Sequence, residues 1–334
     1  MHPAILGILT IVLGVGACVG YFFLSNLFLD KVLFPPRGPN AGRNINRANL
    51  IRPWLFLFPA LFVLGLYLAY PVFATLWLSV TDRTSDGNVW VGLENYSQML
   101  REEKFWEAMR NNMLWLIVVP AASTGFGLLA AQLTDRISWG NIAKSLIFMP
   151  MAISFVGAAV IWKLIYDTRP EGTDQIGLLN AIYLFLGGDA PQTWLTLPFW
   201  NNFFLMVVLI WIQTGFAMVI LSAALRGIPE ETVEAAIVDG ANPFQVFFKI
   251  KVPQIMGTIV VVWTTITIIV LKVFDIVFAM TNGQWETQVL ANYMYDKMFR
   301  ANDWGVGSAS AMIIMLLVTP ILVWNVRNAR KEMR

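Results

Sequence analysis

Long apolar stretches recur along this 334-residue chain and are separated by shorter segments that carry most of its charge. A helix needs about 20 predominantly apolar residues to cross the ~30 Å hydrocarbon core of a bilayer. The hydropathy pattern predicts seven such helices, near residues 4–28, 54–80, 111–133, 145–166, 202–225, 256–280 and 305–326. We interpret the first stretch as a retained helix, because it lacks a positively charged start and is too long for a cleaved signal.

The composition changes this pattern into a fold class. Hydrophobic residues make up 57% of the chain and charged residues 13%, with a mean hydropathy of +0.63. Water-soluble domains carry about twice that charged share, so we predict an all-α integral membrane protein. The single cysteine, Cys18, excludes an intrachain disulfide, and the single histidine, His2, offers almost no basis for catalysis or metal binding. A net charge of +2 gives no indication of a nucleic-acid partner, and we expect no catalytic or metal site.

The charges between the predicted spans orient the bundle. The segment after the first span is basic, with one acidic residue, Asp30, against Lys31, Arg37, Arg43, Arg47 and Arg52. The positive-inside rule therefore places this segment in the cytoplasm and the N-terminus outside. Alternation then places the acid-rich loops 81–110 and 167–199 and the loop 281–304 outside, and the basic C-terminal tail inside. Residues 35–47 are expected to form a flexible basic stretch that lies on anionic lipid headgroups.

The segment "EAAIVDGANPFQVFFKIKVP", residues 234–253, is cytoplasmic on this map and carries helix-capping signals. Pro229 suits a first helical position, and the acidic residues Glu230 and Glu231 favour the positive end of a helix dipole. Gly240 is typical of a helix C-terminus, and Asn242 followed by Pro243 is typical of a new start. The pattern predicts two short helices joined by a tight bend.

An aromatic ridge is predicted on the second of these helices. Phe244, Phe247 and Phe248 lie at spacings that share one face, and Lys249 and Lys251 flank the return to the membrane. An exposed apolar ridge on a cytoplasmic loop is typical of a binding surface. From the residues alone, packing against the protein's own helix ends and docking of a partner are equally good interpretations.

The longer stretch "IPEETVEAAIVDGANPFQVFFKIKVPQI" resembles the EAA loop of permease subunits of bacterial ATP-binding-cassette (ABC) importers. Four further stretches resemble the carbohydrate branch of that family: "VGLENYSQML", "FMPMAISFVGAAVIWKLIYD", "WIQTGFAMVILSAALRGIP" and "KVFDIVFAMTNG". The resemblance covers roughly residues 54–326 and is strongest to α-glucoside permeases. It implies a type I permease fold over 53–334 with a coupling loop at 228–254, preceded by an extra N-terminal helix and linker over 1–52.

This resemblance implies that Glu234, Ala235, Ala236 and Gly240, with Phe244, belong to a coupling helix that docks into a groove on a cytoplasmic ATPase. The chain contains no G-x-x-x-x-G-K-[ST] phosphate loop, so it is not expected to be an enzyme or to bind a cofactor. ATP and magnesium are expected on two partner ATPase subunits. The resemblance further implies a second permease subunit in a heterodimer, a periplasmic sugar-binding protein and a location in the bacterial inner membrane.

Candidate residues for the solute path lie in the fifth and sixth spans. Lys272 and Asp275 are three residues apart, so on one helix they share a face, either as a structural ion pair or as a lining for a solute. Gln213 and Phe216 add an amide and a ring suited to a sugar. The maltose-type pocket has asparagines where this chain has Val270 and Val273, so individual contacts of that pocket cannot be transferred to this chain. The alternative is that the partner permease supplies much of the pocket.

Two other classes of membrane protein are alternatives to an importer permease. An ion-coupled secondary transporter would explain the spans and use Asp275 as an ion site, but it would not need an EAA loop. A membrane enzyme would need a catalytic constellation, which the sequence motifs do not provide. Tryptophans in the outer loops either anchor helix ends at the interface or meet the binding protein.

Overall fold

The computed structural model describes residues 3–84, 87–135 and 137–332, so His2 lies outside the described residues. Within these ranges, five helices are long and apolar enough to cross a membrane, and two bent helix pairs meet the same test together. Counting each pair as one span gives seven, which confirms the predicted all-α membrane class. The predicted span 145–166 is wrong as one helix, because α-helical structure stops at Phe148 and starts again at Phe155 in a new direction. The continuous spans are Pro3–Leu33, Ala41–Ser79, Glu103–Thr134, Trp200–Arg226 and Trp304–Trp324, and the pairs are Gly140–Ala152 with Phe155–Ile165 (105°) and Pro243–Gln254 with Met256–Leu271 (72°).

The chain divides into two compact units, Met1–Ala74 and Thr75–Arg334. The first contains α1 (Pro3–Phe28), which runs into a π-helical turn, and most of a long helix that begins with α2 (Ala41–Leu64) and continues through another π-helical turn into α3 (Tyr70–Ser79). No residue of α1 is buried, so its apolar side chains face outward, as expected for a helix solvated by lipid.

The link between α1 and α2 differs from the expected flexible stretch at 35–47. Helix α2 already begins at Ala41, three residues after Gly38. Arg52 forms an ion pair with Asp30 at 2.7 Å, and the Tyr21 hydroxyl donates a hydrogen bond to the Leu55 carbonyl at 2.8 Å. These contacts fold the second helix back on the first and order most of the linker.

The second unit holds a short antiparallel hairpin and all the remaining helices. The hairpin, which the sequence did not predict, pairs β1 (Thr81–Thr84) with β2 (Gly87–Trp90). The helices are α4 (Glu94–Arg101), α5 (Glu103–Thr134), α6 (Gly140–Phe148), α7 (Phe155–Ile165), α8 (Leu178–Phe185), α9 (Trp200–Arg226), α10 (Glu230–Val238), α11 (Pro243–Gln245), α12 (Val252–Gln254), α13 (Met256–Leu271), α14 (Asp275–Met280), α15 (Leu290–Tyr295) and α16 (Trp304–Glu332).

Helices α5 and α9 form the centre of this unit and approach each other through small residues. A β-carbon placed on Gly127 of α5 would lie 2.4 Å from the Ala217 β-carbon of α9. One on Gly215 of α9 would lie 2.5 Å from the Ile147 carbonyl oxygen of α6, so α9 packs closely on that helix too. Close helix packing of this kind is how membrane helices gain van der Waals contact. The buried cluster around the two helices includes Trp115 and Leu209 and extends to α7, α13 and α14.

Candidate functional site

The predicted coupling loop, residues 228–254, is called the coupling segment below. It has the two-helix geometry that the capping signals predicted. Helix α10 ends in a Schellman arrangement: the Gly240 amide donates to the Ile237 carbonyl at 3.0 Å, and the Ala241 amide donates to the Ala236 carbonyl at 2.9 Å. Gly240 has φ +84°, a conformation that residues with a β-carbon rarely adopt. Its predicted role as the helix-ending glycine is confirmed.

The second helix starts with a complete capping box. The Gln245 amide donates to the Asn242 side-chain oxygen at 2.9 Å, and the Asn242 amide donates to the Gln245 side-chain oxygen at 2.9 Å. Pro243 occupies the first turn, so the predicted start is confirmed. The start of α10 was predicted one residue early, because Pro229 lies at the N-cap position and Glu230 is the first helical residue.

The residues of the EAA motif lie on the surface of the segment. Glu234, Ala235 and Gly240 are exposed and Ala236 is half-buried. Beside them, Val238 is 86% exposed and Phe244 is 77% exposed. Large apolar side chains that are exposed on the same short segment are typical of a binding surface.

The predicted aromatic ridge is divided in the structure. Phe247 is buried, while Phe244 and Phe248 stay exposed, because the π-helical turn Val246–Lys251 does not keep the spacing of a regular helix. Packing within the protein therefore applies to Phe247, and docking of a partner on Phe244 and Phe248 stays a prediction. An apolar groove of about 350 Å³ separates this part of the segment from the end of α5 and is lined by Leu129, Gln132, Leu133, Pro243, Phe244, Phe247 and Phe248.

A polar groove lies on the Glu234 side of the segment. It has a volume of about 570 Å³ and includes Arg226, Glu230, Glu234 and Lys251 in its lining. Among the residues that the structure describes, Glu234 forms no ion pair. Its carboxylate is therefore available to a basic group on another chain.

A charged cluster that sequence reasoning missed ties α5, α6 and α9 together next to this groove. The Asp135 carboxylate forms an ion pair with Lys144 and accepts a hydrogen bond from the Arg226 Nε at 3.1 Å. Lys144 also donates to the Ser222 hydroxyl at 2.8 Å. Burial alone would raise the pKa of Asp135, but the hydrogen bond and charge of Lys144, together with Arg226, hold that pKa below its ordinary value.

The candidate solute-path residues fall into two places. The predicted sixth span over 256–280 is wrong as one helix: α13 ends at Leu271, Lys272 to Phe274 are not helical, and α14 starts at Asp275. This break removes the shared helical face, and within the described residues Lys272 and Asp275 form no ion pair, so the structure does not support the interpretation as a structural ion pair. Ionisable residues are costly within a membrane-spanning helix, so Lys272 and Asp275 make a continuous apolar helix less favourable at this point.

Lys272 and Asp275 nevertheless line one cavity of about 350 Å³. Its other lining residues come from α7, α9, α13, the break and α14: Phe155, Leu209, Ile269, Val273, Phe274 and Ile276. Gln213 and Phe216 are not in this lining. Gln213 lies one helical turn beyond Leu209 on α9, and its buried Oε1 has no hydrogen-bond partner among the described residues.

At the opposite end of the unit, asparagines on α5 and α9 hold the segment between α14 and α15. The Asn111 side-chain amide donates to the Glu286 and Gln288 carbonyls at 2.8 and 2.9 Å, and Asn202 also donates to Glu286 at 3.1 Å. These bonds support backbone at positive φ, 54° at Trp285 and 60° at Glu286. The pairs Asn111–Asn112 and Asn201–Asn202, each at the predicted outer end of a span, were a signal that sequence analysis did not use.

The family model of the binding-protein-dependent transport system inner membrane component matches residues 123–332. The chain belongs to this family. It is 66% identical over 336 residues, 99% of each chain, to the alpha-glucoside transport system permease protein AglF of Rhizobium meliloti. It is 48% identical over 278 residues, 83% of this chain and 99% of the relative, to the osmoprotective compounds uptake permease protein GgtC of Synechocystis sp..

Solved structures show the same fold for this permease. A bacterial ABC transporter that imports the acidic polysaccharide alginate matches with a TM-score of 0.72 at 20% identity, over 86% of this chain and 98% of that chain. The alginate transporter in complex with its pentasaccharide-bound periplasmic protein matches with a TM-score of 0.72 at 19% identity, over 88% and 99%. Together with the family match and the 66% identity to AglF, this fold identifies the chain as a multi-pass ABC importer permease rather than an ion-coupled secondary transporter.

Family membership leaves the residue assignments as predictions. In this permease, Glu234, Ala235, Ala236, Gly240 and Phe244 are brought together on one exposed segment. Of the solute-path candidates, only Lys272 and Asp275 share a cavity. Among the described residues, no group of three or more histidine, cysteine, aspartate or glutamate side chains has a geometry that could hold a metal ion.

Proposed function

We propose that this permease moves an α-glucoside or a similar oligosaccharide into the cell through an ATP-driven importer. The observation that carries the proposal is the identity of 66% with an alpha-glucoside permease over 99% of both chains. The relative named for osmoprotective compounds is less similar, at 48%. The difference in identity favours the α-glucoside class.

The energy for transport comes from partner subunits in this proposal. The exposed coupling segment docks on a cytoplasmic ATPase, with Glu234 paired to a basic group and the small Ala235 and Ala236 permitting close approach. Two ATPase subunits bind ATP and magnesium, and the permease itself binds no cofactor. The exposure of Glu234, Val238 and Phe244 supports this docking surface.

The remaining partners follow from the importer class. A second permease subunit completes a heterodimer, and a periplasmic sugar-binding protein delivers the solute to the outer loops. A periplasmic protein is present in the structure of the alginate transporter complex, which supports this partner. The permease lies in the bacterial inner membrane with its coupling loop and C-terminus in the cytoplasm and its N-terminus in the periplasm, and the basic residues near 35–47 contact anionic lipid.

The solute passes the cavity at Lys272 and Asp275, where the ammonium and carboxylate groups supply donors and acceptors for sugar hydroxyls. Gln213 and Phe216, one and two turns further along α9, contact the solute deeper in the membrane. The unpaired Oε1 of Gln213 supports this role, because a buried carbonyl oxygen without a donor is costly unless a ligand or water satisfies it.

Uptake of radiolabelled maltose into proteoliposomes tests the proposal. The complex of this chain with its partner permease, ATPase subunits and binding protein is expected to import maltose only when ATP is present inside with the ATPase. Glu234→Ala is expected to lower both uptake and ATPase association, while Glu231→Ala, on the same helix outside the EAA motif, leaves them unchanged. Uptake by the permease alone without ATP would contradict the proposal.

A further inference from the structure

Five aromatic rings follow one another from the cavity at Lys272 and Asp275 to the start of α16. Phe274, which lines that cavity, stacks on Phe278 with ring centroids 4.9 Å apart. The series continues from Phe278 to Tyr295 at 5.2 Å, from Tyr295 to Phe299 at 5.2 Å and from Phe299 to Trp304 at 5.6 Å. We call this series Phe274–Phe278–Tyr295–Phe299–Trp304 the aromatic track.

The aromatic track is not part of the protein core. None of its members belongs to the two buried clusters of the described structure or to the side chains packed against them. Phe299 is 57% exposed, and the other four rings are half-buried. A series of partly exposed rings costs apolar hydration unless something covers it.

Polar groups accompany the rings along their length. The Arg300 guanidinium lies 5.7 Å from the Phe278 ring centre and 5.8 Å from that of Tyr295, and an ion pair with Asp296 at 3.1 Å holds it there. At the outer end, the Arg83 guanidinium lies 5.8 Å from the Trp304 ring centre. Among the described residues, the Tyr295 hydroxyl makes no hydrogen bond, so it is available to a ligand.

This mixture distinguishes a sugar from the other ligands that cover apolar surfaces in a membrane protein. Lipid tails favour a surface without guanidinium groups, because a charge facing hydrocarbon is costly. A sugar presents apolar ring faces that stack on aromatic rings, and hydroxyl edges that accept hydrogen bonds from guanidinium and donate to or accept from a phenol. The arrangement of ring faces beside such groups matches that chemistry.

We propose that the aromatic track is a carbohydrate-binding surface along which the solute passes from the outer loop at 281–304 to the cavity at Lys272 and Asp275. The inference rests on the proposed function, because it takes the solute to be a sugar and the 281–304 loop to be periplasmic. It adds Phe278, Tyr295, Phe299 and Arg300 to the residues that contact the solute. The successive rings let one sugar unit leave a ring as the next one binds.

The test compares three variants of the complete complex in proteoliposomes, with radiolabelled maltose as the probe. Phe299→Leu keeps apolar volume but removes the ring, and Phe299→Trp keeps a ring face. Phe185→Leu is the matched control, because Phe185 is 89% exposed on α8 and lies outside the track. Co-purification of the subunits and basal ATPase activity establish that each variant assembles.

We expect Phe299→Leu to raise the KM for maltose uptake by about 3- to 10-fold while assembly and basal ATPase activity stay normal. Phe299→Trp and Phe185→Leu are expected to keep the KM of the parent. Equal KM values for Phe299→Leu and Phe299→Trp would overturn the proposal that the aromatic track binds sugar. Loss of assembly in Phe299→Leu but not in Phe299→Trp would also overturn it, because the ring would then serve a contact between subunits. If the parent complex imports neither maltose, trehalose nor sucrose, the proposed function fails, and the track as a sugar surface fails with it.

Discussion

The Nε of Arg226, at the end of α9, donates a hydrogen bond to the Oδ1 of Asp135, directly after α5, at 3.1 Å. The two residues are 91 positions apart in the sequence. Their contact therefore fixes the ends of the two central helices relative to each other, on the side from which α9 enters the coupling segment. Lys144 extends the same contact to α6.

Replacing Asp135 is expected to loosen this junction. Asp135→Asn removes the negative charge that Lys144 and Arg226 share, and should lower the free energy of unfolding by about 1–3 kcal/mol. The midpoint of thermal unfolding in detergent measures the change. Asp174→Asn, at an exposed position in the 167–199 loop, is the control and should leave the midpoint unchanged.

The same carboxylate predicts a dependence of stability on pH. The folded protein lowers the pKa of Asp135, so its contribution is complete above the unfolded value of about 3.9 and is lost as the pH falls through the lower folded pKa. Unfolding midpoints measured between about pH 3 and pH 6 should fall less steeply at the acid end for Asp135→Asn than for the parent. Parallel curves would contradict the assignment.

Gly240→Ala should separate backbone strain from coupling. Gly240 and Gly172 have nearly the same φ, +84° and +82°, and neither has a neighbouring atom within 4 Å of an added β-carbon. Each alanine should therefore cost a similar amount, about 1–2 kcal/mol of stability. Only Gly240→Ala is expected to lower ATP-driven uptake, because Gly172 lies outside the coupling segment. An equal loss of uptake in both variants would argue against the coupling role.

Gly127→Ala tests the contact between α5 and α9. Its β-carbon would lie 2.4 Å from that of Ala217, so the helices must move apart at a cost of about 1–3 kcal/mol. Gly125, two residues away on the same helix, has no atom within 4 Å of an added β-carbon. Gly125→Ala should therefore preserve or slightly raise the thermal midpoint, and a similar fall in both variants would contradict the packing.

Lys272→Gln and Asp275→Asn should act independently on solute uptake. A structural ion pair would make the double variant recover part of what each single variant loses, because no unpaired charge would remain. The structure does not pair these residues. The changes that the two substitutions cause in RT ln(kcat/KM) for maltose should therefore add to within about 0.5 kcal/mol. Recovery in the double variant would show that the pair forms during transport.

Local signals in the sequence were sufficient for the number of spans and for the coupling segment, but not for the breaks within the fourth and sixth spans. The number of spans follows from apolar length, and the bend at Gly240 and the restart at Asn242 depend on residues only a few positions apart. The break after Leu271 escaped prediction because the surrounding residues are apolar and β-branched, and a hydropathy window averages over the three non-helical residues. The split ridge escaped for a similar reason, since regular helical spacing was assumed across a π-helical turn.

Contacts between distant segments account for the rest. The contact of Asp135 with Arg226 and the asparagines that hold Trp285 and Glu286 join residues that are 84 or more positions apart. No periodicity or cap marks such partners in a single sequence. Gln213 shows the reverse case, because it was singled out from the sequence but lies outside the lining of the cavity at Lys272 and Asp275.

The coupling segment is joined directly to the two long helices that supply walls of the Lys272 cavity. Leu209 lies 17 residues before Arg226 on α9, and Lys272 lies 16 residues after Met256 on the other side of the segment. At 1.5 Å per residue each helix is a lever arm of about 25 Å between loop and cavity. A tilt of about 10° at the cytoplasmic end then shifts the opposite end by about 4 Å, enough to open or close a passage the width of one sugar ring.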